Sequence, residues 1–212
     1  MKLRLLDFLV CSSCLKSFDL DAVEEEFLSY SIEEKKRLRS YCKKHSLGFK
    51  KFVTNIKTGF LVCKCSKYPI VNGIPILLNE INFNKDSRLM QKKTQSSFGF
   101  QWNAFSKIIP EFMENFLNYV KPLQPAFFKD KIVLDAGCGT GRNAYYSCEF
   151  GAEVVAMDFS SAIEAAKLNL NGFSLSHVVR ADIYRLPFKK KFDFIFSIGV
   201  LHHLPYPEKG FE

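Results

Sequence analysis

From Lys131 onward the chain alternates short apolar runs with stretches of helical spacing. KIVLDAG reads as a buried strand, Gly141 to Phe150 as a helix, EVVAMD as a second strand and Ser160 to Leu170 as a second helix. SHVVRAD supplies a third strand and FDFIFSIG a fourth. Continuous apolar strands separated by short helices predict a mostly parallel, doubly wound α/β sheet with helices on its faces.

The first 80 residues follow another pattern. Their last stretch, YPIVNGIPILL, sets Asn72-Gly73 between two apolar runs and predicts a hairpin. Ser31, followed three residues later by Glu34, has the spacing of a capping box opening a helix. That helix would begin acidic and end basic at Lys43 and Lys44, as the helix dipole favours, with Gly48 as its stop. Residues 81–130 form a connector. It begins polar, passes through FGFQWNAF, and contains a predicted helix from Pro110 to Val120, with Phe112, Phe116, Leu117 and Val120 at helical spacing. Phe98, Phe100, Gln101 and Trp102 are placed ahead of the sheet domain, either shaping an acceptor pocket or packing in the core. Three regions follow: a small N-terminal module over 1–80, the connector over 81–130, and the α/β domain over 131–212.

Composition changes this picture little. Of 212 residues 47% are hydrophobic and 25% charged, ordinary for a globular chain. No apolar run reaches the length of a membrane span, and Asp7 interrupts the only stretch that imitates a signal peptide, so a soluble cytoplasmic protein is expected. The formal charge of +8 is compatible with an anionic partner without specifying one. The basic run from Lys35 to Lys51 reads first as a solvated helix face, because Glu24 to Glu26, Glu33 and Glu34 dilute it. The 7 cysteines are unevenly placed, with Cys11 and Cys14 forming one close pair and Cys63 and Cys65 another. In a reducing compartment such pairs point to metal before disulfide.

The most informative segment is VLDAGCGTGR. A buried strand runs into Gly137, Gly139 and Gly141, and a helix follows at once. Asp158 closes the next strand, about 20 residues on, where a carboxylate can bind ribose hydroxyls. Counting from Gly137, the sixth position is Arg142 rather than the glycine of the dinucleotide fingerprint, and no Gly-Lys-Ser/Thr follows. A nucleoside ligand lacking a pyrophosphate therefore fits better than NAD or ATP.

VLDAGCGTGR, VVAMDFS, ADIYRLPF and FDFIFSIGVLHHL resemble the ordered motifs of class I S-adenosylmethionine-dependent methyltransferases of the bacterial methyltransferase-11 type. The resemblance covers 131 to about 206 and implies a Rossmann-like domain with S-adenosyl-L-methionine as cofactor. It places Gly137, Cys138, Gly139 and Gly141 beneath the methionine and ribose, and Asp135 facing the methionine amino group through water. Asp158 would hold the ribose hydroxyls with Phe159 against the adenine. Asp182 would accept from the adenine amine and Ile183 would pack on the ring. The backbone from Ser197 to Val200 would line the methionine end. Helix capping or turn formation is the alternative reading for Asp158 and Asp182, and core packing for Phe159 and Ile183. Cys138 reads as a small turn residue, since no base is evident beside it. His203 is the candidate general base; the alternative for it and for His202 is a loop cap. Ser197-Ile-Gly-Val200 stands where enzymes acting on exocyclic base nitrogens or protein amides carry Asn/Asp-Pro-Pro-aromatic. This leaves oxygen, carbon or small-molecule acceptors.

The segments around Cys11, Cys14, Cys63 and Cys65 resemble the small zinc-ribbon-like activator proteins of methyltransferases, which implies a closed structural zinc site on four thiolates. The second pair is CxC, one residue shorter than the usual knuckle, and Cys42 or His45 could supply a substitute ligand. The family's sheet has seven strands, so four strands imply a C-terminally shortened domain whose fourth strand is an apolar edge for a second subunit to cover. The leading expectation is a methyltransferase acting on a small molecule or glycan, with no membrane span and nucleic acid disfavoured. The alternatives are a non-catalytic cofactor-binding, partner-docking protein and an RNA methyltransferase.

Overall fold

The computed structural model describes residues 1–78, 108–189 and 191–211. The connector residues Phe98, Phe100, Gln101 and Trp102 lie outside them. Eight strands form one sheet in the order β1-β2-β3-β4-β7-β6-β5-β8. The first four are β1 (Asp19–Phe27), β2 (Thr54–Cys63), β3 (Ser66–Val71) and β4 (Ile74–Leu77), an antiparallel meander. The others are β5 (Ile132–Ala136), β6 (Glu153–Asp158), β7 (Ser176–Ala181) and β8 (Phe194–Phe196), all parallel. The two halves join at β4 and β7, which run parallel with Ile76 opposite Arg180 and Leu77 opposite Ala181.

The helices are α1 (Ile32–Lys44), α2 (Lys50–Val53), α3 (Glu111–Tyr119), α4 (Pro125–Phe128), α5 (Arg142–Glu149), α6 (Ala162–Asn169) and α7 (Pro207–Phe211). Strand alternation divides the parallel strands between two cores. Val133, Val154, Ala156 and Val178 face α3 to α6, with Phe116, Phe128, Ala144 and Ile163 among the buried partners. Leu134, Val155, Met157 and Val179 face the opposite way, where helices were expected. Among the described residues the N-terminal segment fills that space instead, with Met1, Leu5, Phe8, Leu9 and Cys11 buried against the strands.

Local readings met mixed outcomes. Asn72 (φ 49°) and Gly73 (φ 75°) make the tight turn between β3 and β4. Ser31 caps α1, accepting from the Glu34 amide at 3.1 Å. The return half of the capping box is not made, because the Glu34 carboxylate turns away to accept from the Ser174 amide and hydroxyl at 2.7 and 2.6 Å. Helix α1 stops before Gly48: the left-handed residue after its end is Ser46, at φ 53°. The fourth parallel strand keeps only Phe194–Phe196 of FDFIFSIG, and Ile195 on it is exposed.

The two halves are also bolted together through charge. Arg4 reaches buried Glu153 at the start of β6 through Nε to Oε1 (2.8 Å) and Nη2 to Oε2 (2.9 Å). The Tyr41 hydroxyl donates to Glu153 Oε2 at 2.8 Å, and His177 Nε2 lies 3.0 Å from Oε1. Burial works against the Glu153 charge, but hydrogen bonds from His177 and Arg4 hold its carboxyl down at about 2. Burial pushes His177 down to about 4, so at neutral pH it is an uncharged donor and the ion pair is with Arg4.

Candidate cofactor cleft

Parallel strands deliver their following loops to one end of the sheet, and a crevice opens beyond the carboxyl ends of β5, β6 and β7. It encloses about 180 Å³. Gly137, Cys138 and Gly139 come from the β5 loop, Asp158 and Phe159 from β6, Asp182 and Ile183 from β7, and Ile198 to Val200 with His203 from beyond β8. Eight of the sequence-expected residues thus line one cleft: Gly137, Cys138, Gly139, Asp158, Phe159, Asp182, Ile183 and His203. Asp135, Gly141 and Ser197 do not line it.

These three sit behind the wall. Gly141 is the left-handed cap of α5 (φ 79°), and a Cβ there would meet the Ala166 Cβ at 3.1 Å, so its lack of side chain serves helix packing. The Ser197 hydroxyl donates to the Ala136 carbonyl at 2.8 Å, tying the end of β8 to that of β5. Gly137 is needed for close approach: at φ 88°, a Cβ would lie 2.5 Å from Val200 Cγ2. Val200, Thr140, Arg142, Asn143, Met157 and Ser160 also line the cleft and were not singled out as side chains by sequence.

The carboxylates define the electrostatics. Asp158 Oδ2 accepts from the Gly139 amide at 2.8 Å, while Oδ1 accepts from the Ser160 amide and hydroxyl, each at 2.7 Å. It thereby clamps the glycine loop to the β6 loop. A carboxylate has about four acceptor positions, so it retains capacity for a ligand hydroxyl. Asp182 Oδ1 caps the short turn Ile183–Arg185 through the Tyr184 amide at 2.9 Å, while Oδ2 is buried and unpartnered. Capping and ligand binding therefore use different oxygens of the same group. Asp135 is 1% exposed and neither of its oxygens has a well-formed hydrogen bond. Burial first, then the Asp158 charge, push its carboxyl up to about 8, and the Ala144 amide offsets this only in part. The Thr140 hydroxyl is likewise buried without a partner. Orphaned polar groups cost energy unless something satisfies them, so two on the cleft wall, Thr140 and Asp182, with Asp135 buried behind it, suit a ligand bearing donors and positive charge.

Cys138 is buried, and desolvation with the Asp135 and Asp158 charges raises its thiol well above the ordinary range, the environment of an inert thiol. His203 lies in the short turn Leu201–His203 with its ring centroid 3.9 Å from that of His202, and it lines the cleft mouth.

A second constellation lies in the N-terminal half. The Sγ atoms of Cys11, Cys14, Cys63 and Cys65 all fall within 4.8 Å of one another. Cys11 to Cys65 is 3.5 Å, Cys63 to Cys65 3.4 Å and Cys14 to Cys63 4.0 Å. Tetrahedral zinc with bonds of about 2.3 Å separates its sulfurs by about 3.8 Å. The shorter CxC pair thus still brings both thiols to the cluster. Burial raises the Cys11 thiol, but the Cys14 and Ser13 amides and the neighbouring thiols bring it down to about 6, favouring the thiolate a metal needs. Cys42 and His45 are elsewhere, Cys42 buried against Leu38 and Phe52 and His45 beside the Tyr41 ring.

Comparison with known proteins agrees with this geometry. Residues 134–212 match the family described as "Methyltransferase domain". A 50-residue stretch is 56% identical to protein arginine N-methyltransferase 1 of Saccharomyces cerevisiae, covering 22% of this chain and 14% of that protein. The tRNA U34 carboxymethyltransferase of Proteus mirabilis is 34% identical over 84 residues, 37% of this chain and 26% of that one. Among solved structures, a TehB-like S-adenosylmethionine-dependent methyltransferase of Corynebacterium glutamicum matches with 23% identity and a TM-score of 0.32, over 53% of this chain and 55% of the other. The family match lies within residues 134–212, and the chain spans well under half the length of the curated relatives named above.

Proposed function

We propose that the chain binds S-adenosylmethionine in the cleft beyond β5, β6 and β7 and transfers its methyl group to an oxygen or carbon of a small-molecule or glycan acceptor. The observation carrying the cofactor reading is the pair of unsatisfied polar groups on the cleft wall, the Thr140 hydroxyl and Asp182 Oδ2, beside a glycine loop clamped by Asp158, with the orphaned Asp135 carboxyl buried behind that loop. Bound there, S-adenosylmethionine supplies an electrophilic methyl group on a positively charged sulfur. Asp158 would receive the ribose hydroxyls, Asp182 Oδ2 the adenine amine, and Phe159 and Ile183 the faces of the ring. Asp135 would ionise toward the cationic amino-acid portion. Gly137 lets the backbone approach, with Val200 closing the cleft above it.

Methyl transfer from a sulfonium is governed largely by alignment and exclusion of water, and a base is needed only where the acceptor loses a proton. His203, at the mouth and on the side of the post-β8 loop, is the residue positioned to take that proton. The Ser197-Ile-Gly-Val200 segment argues for oxygen or carbon acceptors over base or amide nitrogens. We further assign the four-thiol cluster of residues 1–80 to a structural zinc ion, a reading supported by four sulfurs within 4.8 Å of one another, enough to fill a tetrahedral shell. Incubation with methyl-labelled S-adenosylmethionine and fractionated metabolite and glycan pools tests the reading. Label in one fraction, lost with Asp158→Ala, is expected; label confined to protein amide nitrogens would refute the acceptor class.

A further inference from the structure

Helix α1 presents one face to the core and the other to solvent, and the solvent face is basic. Leu38, Tyr41 and Cys42 are buried against Phe52 and Leu175. Lys36, Arg39 and Lys43, at i, i+3 and i+7, share the exposed side, and Lys50 follows at the start of α2. The Arg39 guanidinium lies 5.3 Å over the ring of Phe49, the residue before Lys50. Over seven residues of helix these charges span about 10 Å.

Three of the five acidic residues that dilute this run in the sequence are engaged elsewhere in the fold. Glu34 turns inward to Ser174, Glu24 pairs with Lys57 at 2.8 Å, and Glu26 accepts from the Asn55 amide at 2.7 Å. Asp130 pairs with Lys44, and Asp7 with Lys51 and Arg4. Among the described residues none of Lys36, Arg39, Lys43 and Lys50 has a carboxylate within ion-pair distance. Exposed Glu25, Glu33 at the helix start and exposed Glu149 near Arg37 and Lys44 remain as opposing charges.

We propose that this face docks the phosphodiester backbone of a nucleic acid. A row of discrete, unpaired cations about 10 Å long fits repeated phosphates better than one small anion. A membrane surface fits less well, because Ile32 is the single large apolar side chain exposed on α1, too little to enter lipid. The face is also separate from the cofactor cleft. Helix α1 crosses the amino ends of the parallel strands, with Tyr41 bonded to Glu153 and Glu34 to Ser174, whereas the cleft opens at the carboxyl ends. Strand β6, of 6 residues, sets them about 20 Å apart. The inference therefore does not depend on the methyl acceptor or on cofactor binding, and it applies to a partner long enough to lie on this end of the sheet.

Fluorescence anisotropy with a labelled mixed-sequence 20-nucleotide RNA, and with DNA of the same sequence, tests the proposal on the full chain. About three phosphate contacts should weaken binding roughly 20-fold between 50 and 200 mM salt, from a slope of about 0.7 per contact on single strands. The variant Lys36→Ala/Arg39→Ala/Lys43→Ala should lose at least tenfold in affinity and most of that slope. Lys57→Ala/Lys67→Ala, which removes equal-sign charge from β2 and β3, should bind as the parent does, and circular dichroism should report all three chains folded. Binding of RNA but not DNA would assign the source as RNA, and the reverse as DNA. No binding of either, equal losses in both variants, or binding confined to phosphatidylserine vesicles would overturn it.

Discussion

Asp135 is the residue whose surroundings conflict most with its chemistry. Its carboxyl sits beneath the glycine loop without a full hydrogen-bond partner, and burial together with Asp158 raises it to about 8. A carboxyl raised on folding binds its proton more tightly in the native state, so ligand-free stability should fall as pH rises from about 4 to about 8. A cationic ligand reverses the preference. Binding of S-adenosylmethionine at pH 7 should release a proton, and affinity should climb with pH through that window. Calorimetry in two buffers of different ionisation enthalpy measures the release; Asp135→Asn should abolish it, and unchanged release in that variant would refute the assignment. Such roles are partly legible in sequence, since a strand end followed by spaced glycines marks Asp135 and Gly137. The Val200 side chain over Gly137 is not legible, because that contact joins loops that meet only once the sheet has formed.

Elements were legible where their burial is symmetric and their ends are punctuated. Strands β5, β6 and β7 are buried on both faces and read as continuous apolar runs, and Asn72-Gly73 announced its hairpin. Strand β1 escaped notice because DLDAVEEEF carries charges where a strand usually carries β-branched residues. It is an edge strand, and its acids pair with Lys57 on the adjacent β2 and Lys67 on β3 beyond it. The 3-10 turn Leu3–Asp7 matters beyond its size, since Arg4 on it neutralises Glu153 inside the fold. Removing one partner of a buried pair leaves a stranded charge, so Arg4→Met should cost about 3–5 kcal/mol in denaturant unfolding. Loss of less than about 1 kcal/mol would contradict the network's role. Acid should unfold the protein in two stages. Neutral buried His177 contributes stability that is lost as pH falls from 6.5 toward about 4, and Glu153 contributes stability that is lost below 4.5 toward about 2. Thermal melts across that range check the order, and His177→Gln should remove the first stage.

At the scale of the molecule, the cysteine-bearing half and the half that matches the methyltransferase-domain family share a sheet. Strand β4 extends the parallel strands through β7, and the backbone of Phe8 to Val10 pairs with Pro187 to Lys189, beyond the turn that carries Asp182 and Ile183. Sequence separated these halves by composition but had no means of showing that they are hydrogen-bonded edge to edge, because pairing between strands about a hundred residues apart leaves no local pattern. The four-thiol cluster was visible as two close pairs, yet its closure across β2 and the N-terminal loop needed coordinates. Purified protein should carry stoichiometric zinc. Cys65→Ser should lower both metal content and melting temperature, and a chain that is metal-free but equally stable would refute the structural zinc site.

The central claim is that the cleft seats S-adenosylmethionine through Asp158 and the glycine loop. Isothermal titration of the folded chain with S-adenosylhomocysteine, the product form, tests it most directly. Equimolar binding is expected, weakened about 10- to 100-fold in Asp158→Ala, the cost of losing hydrogen bonds to a charged group. Absence of binding by a folded sample, or full affinity in Asp158→Ala, would contradict the account.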